Sequence, residues 1–288
     1  MNDQIIRVFS VIVIMCSVFI GCKSNQQPIV PISDTDHPVY HYVRGMELIW
    51  ENDINAAQKK FIHALQLNGN HAPSIAAKSL IQAIKISDLT KNIDTRKSYE
   101  KKVIQNLNQA IQRIDNSHIS FIVHVTAIRV YTKLKNDKWI KNALSSYQSA
   151  IHMKNEITPS ELPYYEHVKA ADFFMGVAFM EAQQFEKGIF HFSNVLNERD
   201  GNKWKVKADQ FVKKIQCIVR ASMGYTLSKA AAQIAVKDSV TRADVSMLLI
   251  HELSIEKLYY NYFSNHKNSN QSKIMQAFWL MKENILTQ

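Results

Sequence analysis

The chain has 288 residues, 46% of them hydrophobic, a net charge of +10 and only seven glycines. Average proteins carry roughly 7% glycine, and phosphate-cradling loops, nucleophile elbows and tight hairpin turns consume it. Scarce glycine, with no proline after Pro163, argues against nucleotide-binding α/β folds and predicts an all-α chain of helices joined by short turns.

The N-terminal residues 5–20, "IIRVFSVIVIMCSVFI", hold one arginine followed by a short apolar run. A membrane-spanning helix needs about 20 apolar residues, so the run fits the apolar core of a secretory signal instead. It ends at Gly21, directly before Cys22, in the box "FIGC". This box resembles the bacterial lipoprotein signal. The resemblance implies removal of residues 1–21 and a lipid on Cys22. By the same resemblance, Lys23, rather than an aspartate, after Cys22 permits transfer to the outer membrane of a two-membrane bacterium. An uncleaved anchor and a plain secreted protein remain as alternatives. The next stretch, 22–37, is polar and proline-bearing with no helical period, and reads as a flexible tether. Cys16 leaves with the signal and Cys22 takes the lipid. That leaves Cys217, flanked by Ile215, Ile218 and Val219, which reads as a buried structural thiol with no partner for a disulfide.

From residue 38 the chain repeats itself. In 173–202, "FFMGVAFMEAQQFEKGIFHFSNVLNERDGN", the key positions are Gly176, Phe179, Phe185, Gly188, Phe192 and Val195. Gly45, Ala57, Phe61 and Ala64 fall on the same intervals near the start of the array. Tyr131, Ala143, Tyr147 and Ala150 do so in its middle, with Tyr131 in the glycine place. A weaker copy holds Val103, Leu107 and Ala110. The pattern resembles the tetratricopeptide repeat, in which a glycine and an aromatic pack the helix pair and small residues let the second helix approach. The closing positions Ala64, Ala110, Ala150 and Val195 lie 46, 40 and 45 residues apart, not the roughly 34 of the regular repeat. Longer helices or longer linkers must fill the difference, and "ITPSELPYY" (157–165) reads as one such linker. Independently of the family, each pair has one apolar stripe it cannot bury alone, so neighbours must stack. The expected fold is an all-α, tetratricopeptide-like solenoid over 38–217, whose concave side holds a partner protein or peptide. Phe61, Tyr147 and Phe192 are expected in its core.

Residues 218–288 read as a further helical region. Within 236–259, Thr241 and Asp244 have the spacing of a capping box, ahead of an apolar stripe of Val245, Leu248, Leu249 and Leu253. Thr241-Arg242-Ala243-Asp244 also resembles the S-layer homology module, which implies contact with cell-wall polysaccharide through Arg242. The match is partial: the segment expected before it is missing and no second copy follows.

No catalytic constellation is visible. His37 and His41 have Pro38 between them, His251-Glu252 lacks a second histidine at zincin spacing, and His191 lies inside a packed repeat. No phosphate loop, serine elbow or paired-carboxylate motif occurs. The lysines of "KNIDTRKSYEKK" and "KWKVKADQFVKK" are spread along helices, as on solvated faces. The expectation is a non-enzymatic, lipid-anchored envelope protein facing the periplasm, without cofactor or metal. Its partners would be the membrane, through the N-terminal lipid, and a protein bound by the repeats. Nucleic acid is set aside because of the export signal. Polysaccharide tethering through 236–259 is the second reading.

Overall fold

The computed structural model describes residues 36–89, 93–199, 202–221, 228–237 and 239–251. Among them are eleven α-helices and no strand. In chain order these are α1 Pro38–Trp50, α2 Ile54–Leu67, α3 Ala72–Leu89, α4 Ile93–Ile111, α5 Ser117–Leu134, α6 Trp139–His152, α7 Ala170–Glu181, α8 Phe185–Leu196, α9 Lys203–Ala221, α10 Lys229–Ala235 and α11 Arg242–His251. The first eight pack as neighbouring pairs, α1 on α2 through to α7 on α8; α3 also lies on α5, and α9 on α8. Cys22, the rest of 22–35 and residues 252–288 lie outside the described residues.

Side chains at the helix starts satisfy backbone donors that have no partner within the helix. Asp53 Oδ1 accepts from the Ala56 N–H at 2.9 Å, and Asn116 Oδ1 from that of Ile119 at 2.8 Å. His37 Nδ1 accepts from the Tyr40 N–H at 3.2 Å, with Pro38 in the first turn of α1. The tether expected to reach residue 37 therefore ends earlier. His37 caps α1, and Asp36 is buried against the array.

Three of the pairs share one local geometry. A Cβ on Gly45 would lie 2.5 Å from the Phe61 ring, and one on Gly176 would lie 2.8 Å from the Phe192 ring. Only glycine allows that approach. Ala57, Ala64, Ala143 and Ala150 have no exposed surface, and Gly188 lies against the backbone of α7. The turns agree as well. Asn52, Lys138 and Gln183 take φ of 61°, 64° and 60°. The same interval separates them from Gly45, Tyr131 and Gly176. Tyr131 leaves no room for the aromatic of its pair, so Tyr147 stays half-buried while Phe61 and Phe192 are fully buried. The weaker copy differs in length. Val103, Leu107 and Ala110 are buried as expected, but α4 begins at Ile93, about two turns earlier relative to Ala110 than α2, α6 and α8 begin relative to Ala64, Ala150 and Val195.

Three expectations are corrected. The 157–165 segment is not a bare linker: Leu162, Tyr164 and Tyr165 are among the most buried residues of the chain. Two single-turn 3-10 helices, Lys154–Glu156 and Pro159–Glu161, fold the segment back so that both tyrosine rings enter the core. Cys217 is exposed, because Ile215 and Ile218 take the buried face of α9 and the helical turn carries Cys217 away from it. Position 217, where the array is expected to end, falls inside α9.

The packing is not strictly nearest-neighbour. Trp204 of α9 is fully buried, and its Nε1–H donates to the Tyr165 carbonyl at 2.5 Å. Its ring centroid lies 5.0 Å from Phe174, 5.1 Å from Phe173 and 6.3 Å from Trp50 of α1. Tyr42 of α1 likewise meets Tyr164 at 6.5 Å. The first helix of the array thus reaches the 164–165 segment, α7 and α9 through one aromatic cluster.

Candidate functional site

Below that cluster the helices leave a cavity of about 470 Å³. Ile49 and Trp50 of α1, Leu80 of α3, Phe173, Phe174, Val177 and Met180 of α7, and Phe211 of α9 supply its apolar wall. Arg129 of α5 lines it as well. α5 is apolar on nearly every side: Phe121, Val123, Val125, Ala127, Ile128 and Val130 are all buried. Arg129 is therefore held against the core by the helix that carries it.

The guanidinium sits 4.6 Å from the centroid of the Phe174 ring. Its Nη1 is buried and makes no hydrogen bond. Among the described residues no carboxylate pairs with it; Glu181, also on the lining, is bound to Lys135 at 2.7 Å. The phenols beside it bring no negative charge. Burial pushes Tyr164 up to about 12, even with Arg129 pulling the other way, and pushes Tyr42 well above the usual tyrosine range. Burial works against the charge, but Tyr164 and Tyr165, with a hydrogen bond to Tyr165, outweigh it and hold Arg129 above the usual arginine value.

The surroundings add positive charge. Lys133 and Lys214 are on the lining, and the Lys207 ammonium lies 3.6 Å from the Trp50 ring centroid. Burial lowers the Lys207 pKa, and the like charges of Lys203 and Arg129 lower it further. An anion placed beside Arg129 would relieve this repulsion. The arrangement offers a largely apolar volume with Arg129, Lys133 and Lys214 on its lining, a binding geometry of ordinary ligand-site size.

A second polar cluster joins α6, α7 and α8. The Asp172 carboxylate, 7% exposed, accepts from Tyr147 Oη at 2.9 Å, His191 Nδ1 at 3.1 Å and Asn194 Nδ2 at 3.3 Å. Burial alone would raise its pKa; hydrogen bonds from His191, Tyr147 and Asn194 outweigh burial and hold it below the ordinary value. A depressed folded-state pKa stabilises the fold above the ordinary carboxylate range and loses that contribution as pH falls through the folded value. Asp172→Asn is accordingly expected to cost about 2 kcal/mol at pH 7. Denaturant unfolding of both chains should show the difference shrinking below about pH 4.

The residues singled out for repeat packing build the walls between helices, and none of them lines the cavity. Thr241 and Asp244 form the capping box: Thr241 N–H and Oγ1–H donate to Asp244 Oδ2 at 2.9 and 2.8 Å, and Asp244 N–H returns to Thr241 Oγ1 at 3.2 Å. Lys237 adds an ion pair at 2.5 Å. Lys237 first, then the Thr241 hydrogen bonds, hold Asp244 down to about 2. Arg242 is exposed beside them. The apolar stripe expected on α11 is not buried against the described residues, since Val245 and Leu249 are exposed. Sequence reading missed Arg129, Trp50 and Phe174. The available signal was the one arginine inside "FIVHVTAIRVYTKL", a mostly apolar helical run.

Comparison with family models, with curated proteins and with solved structures returned no match. Among the described residues no helix is long and apolar enough to cross a membrane.

Proposed function

We propose that this protein is a non-enzymatic scaffold of the cell envelope, anchored by a lipid on Cys22, whose tetratricopeptide-like helix pairs bind a segment of a partner protein. The observation that carries the reading is Arg129 on a largely apolar cavity wall, with no carboxylate paired to it among the described residues and its Nη1 without a hydrogen bond. The fitting occupant is a peptide segment with a carboxylate between large apolar side chains. The carboxylate would pair with the guanidinium, and the apolar groups would displace water from the wall. The net charge of +10 favours approach of such an acidic segment. The titratable groups on the lining are Arg129, Lys133, Glu181 and Lys214; no nucleophile with an adjacent base is among them, which supports binding over chemistry.

Fluorescence titration with peptides that place Glu between Phe or Leu residues, and with their Gln counterparts, tests the cavity. The Glu peptides should bind about tenfold tighter or better, since hydrogen bonds to a charged partner contribute roughly 1.5–3 kcal/mol. Equal affinity for the two sets would remove the reading. The anchor is tested separately: Cys22→Ser should move the protein from the membrane fraction to the soluble one.

A further inference from the structure

Where the segment from Cys22 joins the array, three side chains converge. Asp36 precedes α1 and is 9% exposed; His41 lies in α1 and is 7% exposed; His63 comes across from α2. Asp36 Oδ1 is 2.6 Å from His41 Nε2 and 2.8 Å from His63 Nε2. The two imidazoles stand nearly perpendicular, at 85°, with centroids 4.3 Å apart. One donor atom from each residue lies within 4.8 Å of the other two, the one such group of His, Cys, Asp or Glu among the described residues.

We propose that Asp36, His41 and His63 bind one divalent transition-metal ion of the zinc class. Two imidazole nitrogens and one carboxylate oxygen are the donors such ions take, at about 2.0–2.2 Å. Around a tetrahedral ion those bonds put the donors roughly 3.3 Å apart. Opening the two short contacts by about 0.7 and 0.5 Å therefore makes room for the ion, a movement within the reach of small χ rotations. The His63 side chain is 29% exposed, so an entry path exists and a water can complete the shell. His41 Nδ1 is buried without a hydrogen-bond partner. Ligating histidines usually donate that second N–H to an acceptor, and its loss typically weakens metal binding 10- to 100-fold. The site is thus of moderate affinity, a clamp rather than a permanent structural zinc. Its effect is mechanical: the ion would fix Asp36 to both helices of the first pair.

The test uses the full chain without a histidine tag, stripped with chelator and titrated calorimetrically with Zn²⁺ alone. One equivalent should bind, and the melting temperature should rise with Zn²⁺. His63→Ala, chosen because His63 is the least buried of the three, should weaken binding about 100-fold while leaving the metal-free circular dichroism and melting temperature near those of the native chain. Asp36→Asn should weaken it tenfold or more. His37→Ala should bind as the native chain does, since His37 serves α1 as its cap. Absence of binding at Zn²⁺ tenfold above the chain concentration overturns the proposal. So does a His63→Ala chain that binds like the native one, because the ion would then sit on other histidines of the eleven, leaving the Asp36 contacts as a hydrogen-bonded triad.

Discussion

Trp204→Ala should lower the unfolding free energy by about 4 kcal/mol, the range for emptying a fully buried aromatic site. The ring is in contact with four aromatic neighbours besides Trp50, and its Nε1–H satisfies the Tyr165 carbonyl. The removed volume is bounded by α1, the 164–165 segment, α7 and α9, elements pinned by their own pair partners, so the site can collapse only partly. The shape of the transition is informative too. In a one-dimensional array each unit touches only its neighbours, so a destabilising change at one end stays local. Here Trp204 ties the last long helix to the first. Denaturant unfolding followed separately by Trp fluorescence and by circular dichroism should coincide in the native chain and separate in the variant. A loss under 1 kcal/mol with coincident transitions would mean the cluster does not couple the two ends.

Arg129→Met is expected to weaken binding while changing stability little. The guanidinium pays desolvation in a cavity wall without a carboxylate, and its Nη1 has no acceptor. A volume-similar apolar side chain avoids that desolvation and keeps the packing volume, so its effect on stability is expected to be small. The melting temperature should therefore stay near that of the native chain. Binding of an acidic, apolar-flanked peptide should fall by about tenfold or more, and its preference over the Gln counterpart should vanish. Arg129→Ala is the less informative change, because it also removes the stem that packs on Phe174 and leaves a void. A destabilised Arg129→Met chain would show that the cation serves the fold, through Phe174 and the tyrosines, and that no anionic occupant is needed to explain it.

The legible part of this fold was the local part. Gly45 with Phe61, and Gly176 with Phe192, announce helix pairs because a missing Cβ and a large ring at a fixed interval have one common use. The capping box at Thr241 and Asp244 was equally plain, since both partners lie within one turn. What stayed hidden depends on distant residues. Tyr164 and Tyr165 sit in a stretch with two prolines, and nothing local says that Trp204 and Tyr42 will close over them. Cys217 was misjudged from its apolar sequence neighbours, when the helical angle, not adjacency, decides burial. Arg129 stood in view as an arginine inside the mostly apolar run 121–134, yet the residues that complete its cavity come from positions 49 to 236. His41 stands four residues after His37, the cap of α1; its nearest partners are Asp36, two residues before the helix, and His63, across the turn on α2.

The aromatic closure also decides how the protein would carry load. A pull applied between Asp36 and Ala221, the two ends of the described array, does not have to run through α1 to α9 in series. It meets Trp50 and Tyr42 packed on Trp204 and Tyr164, a parallel path that must yield before the pairs can be peeled away in order. Resistance to extension would therefore be set by one patch of ring contacts, and the array would give way in a single step rather than pair by pair.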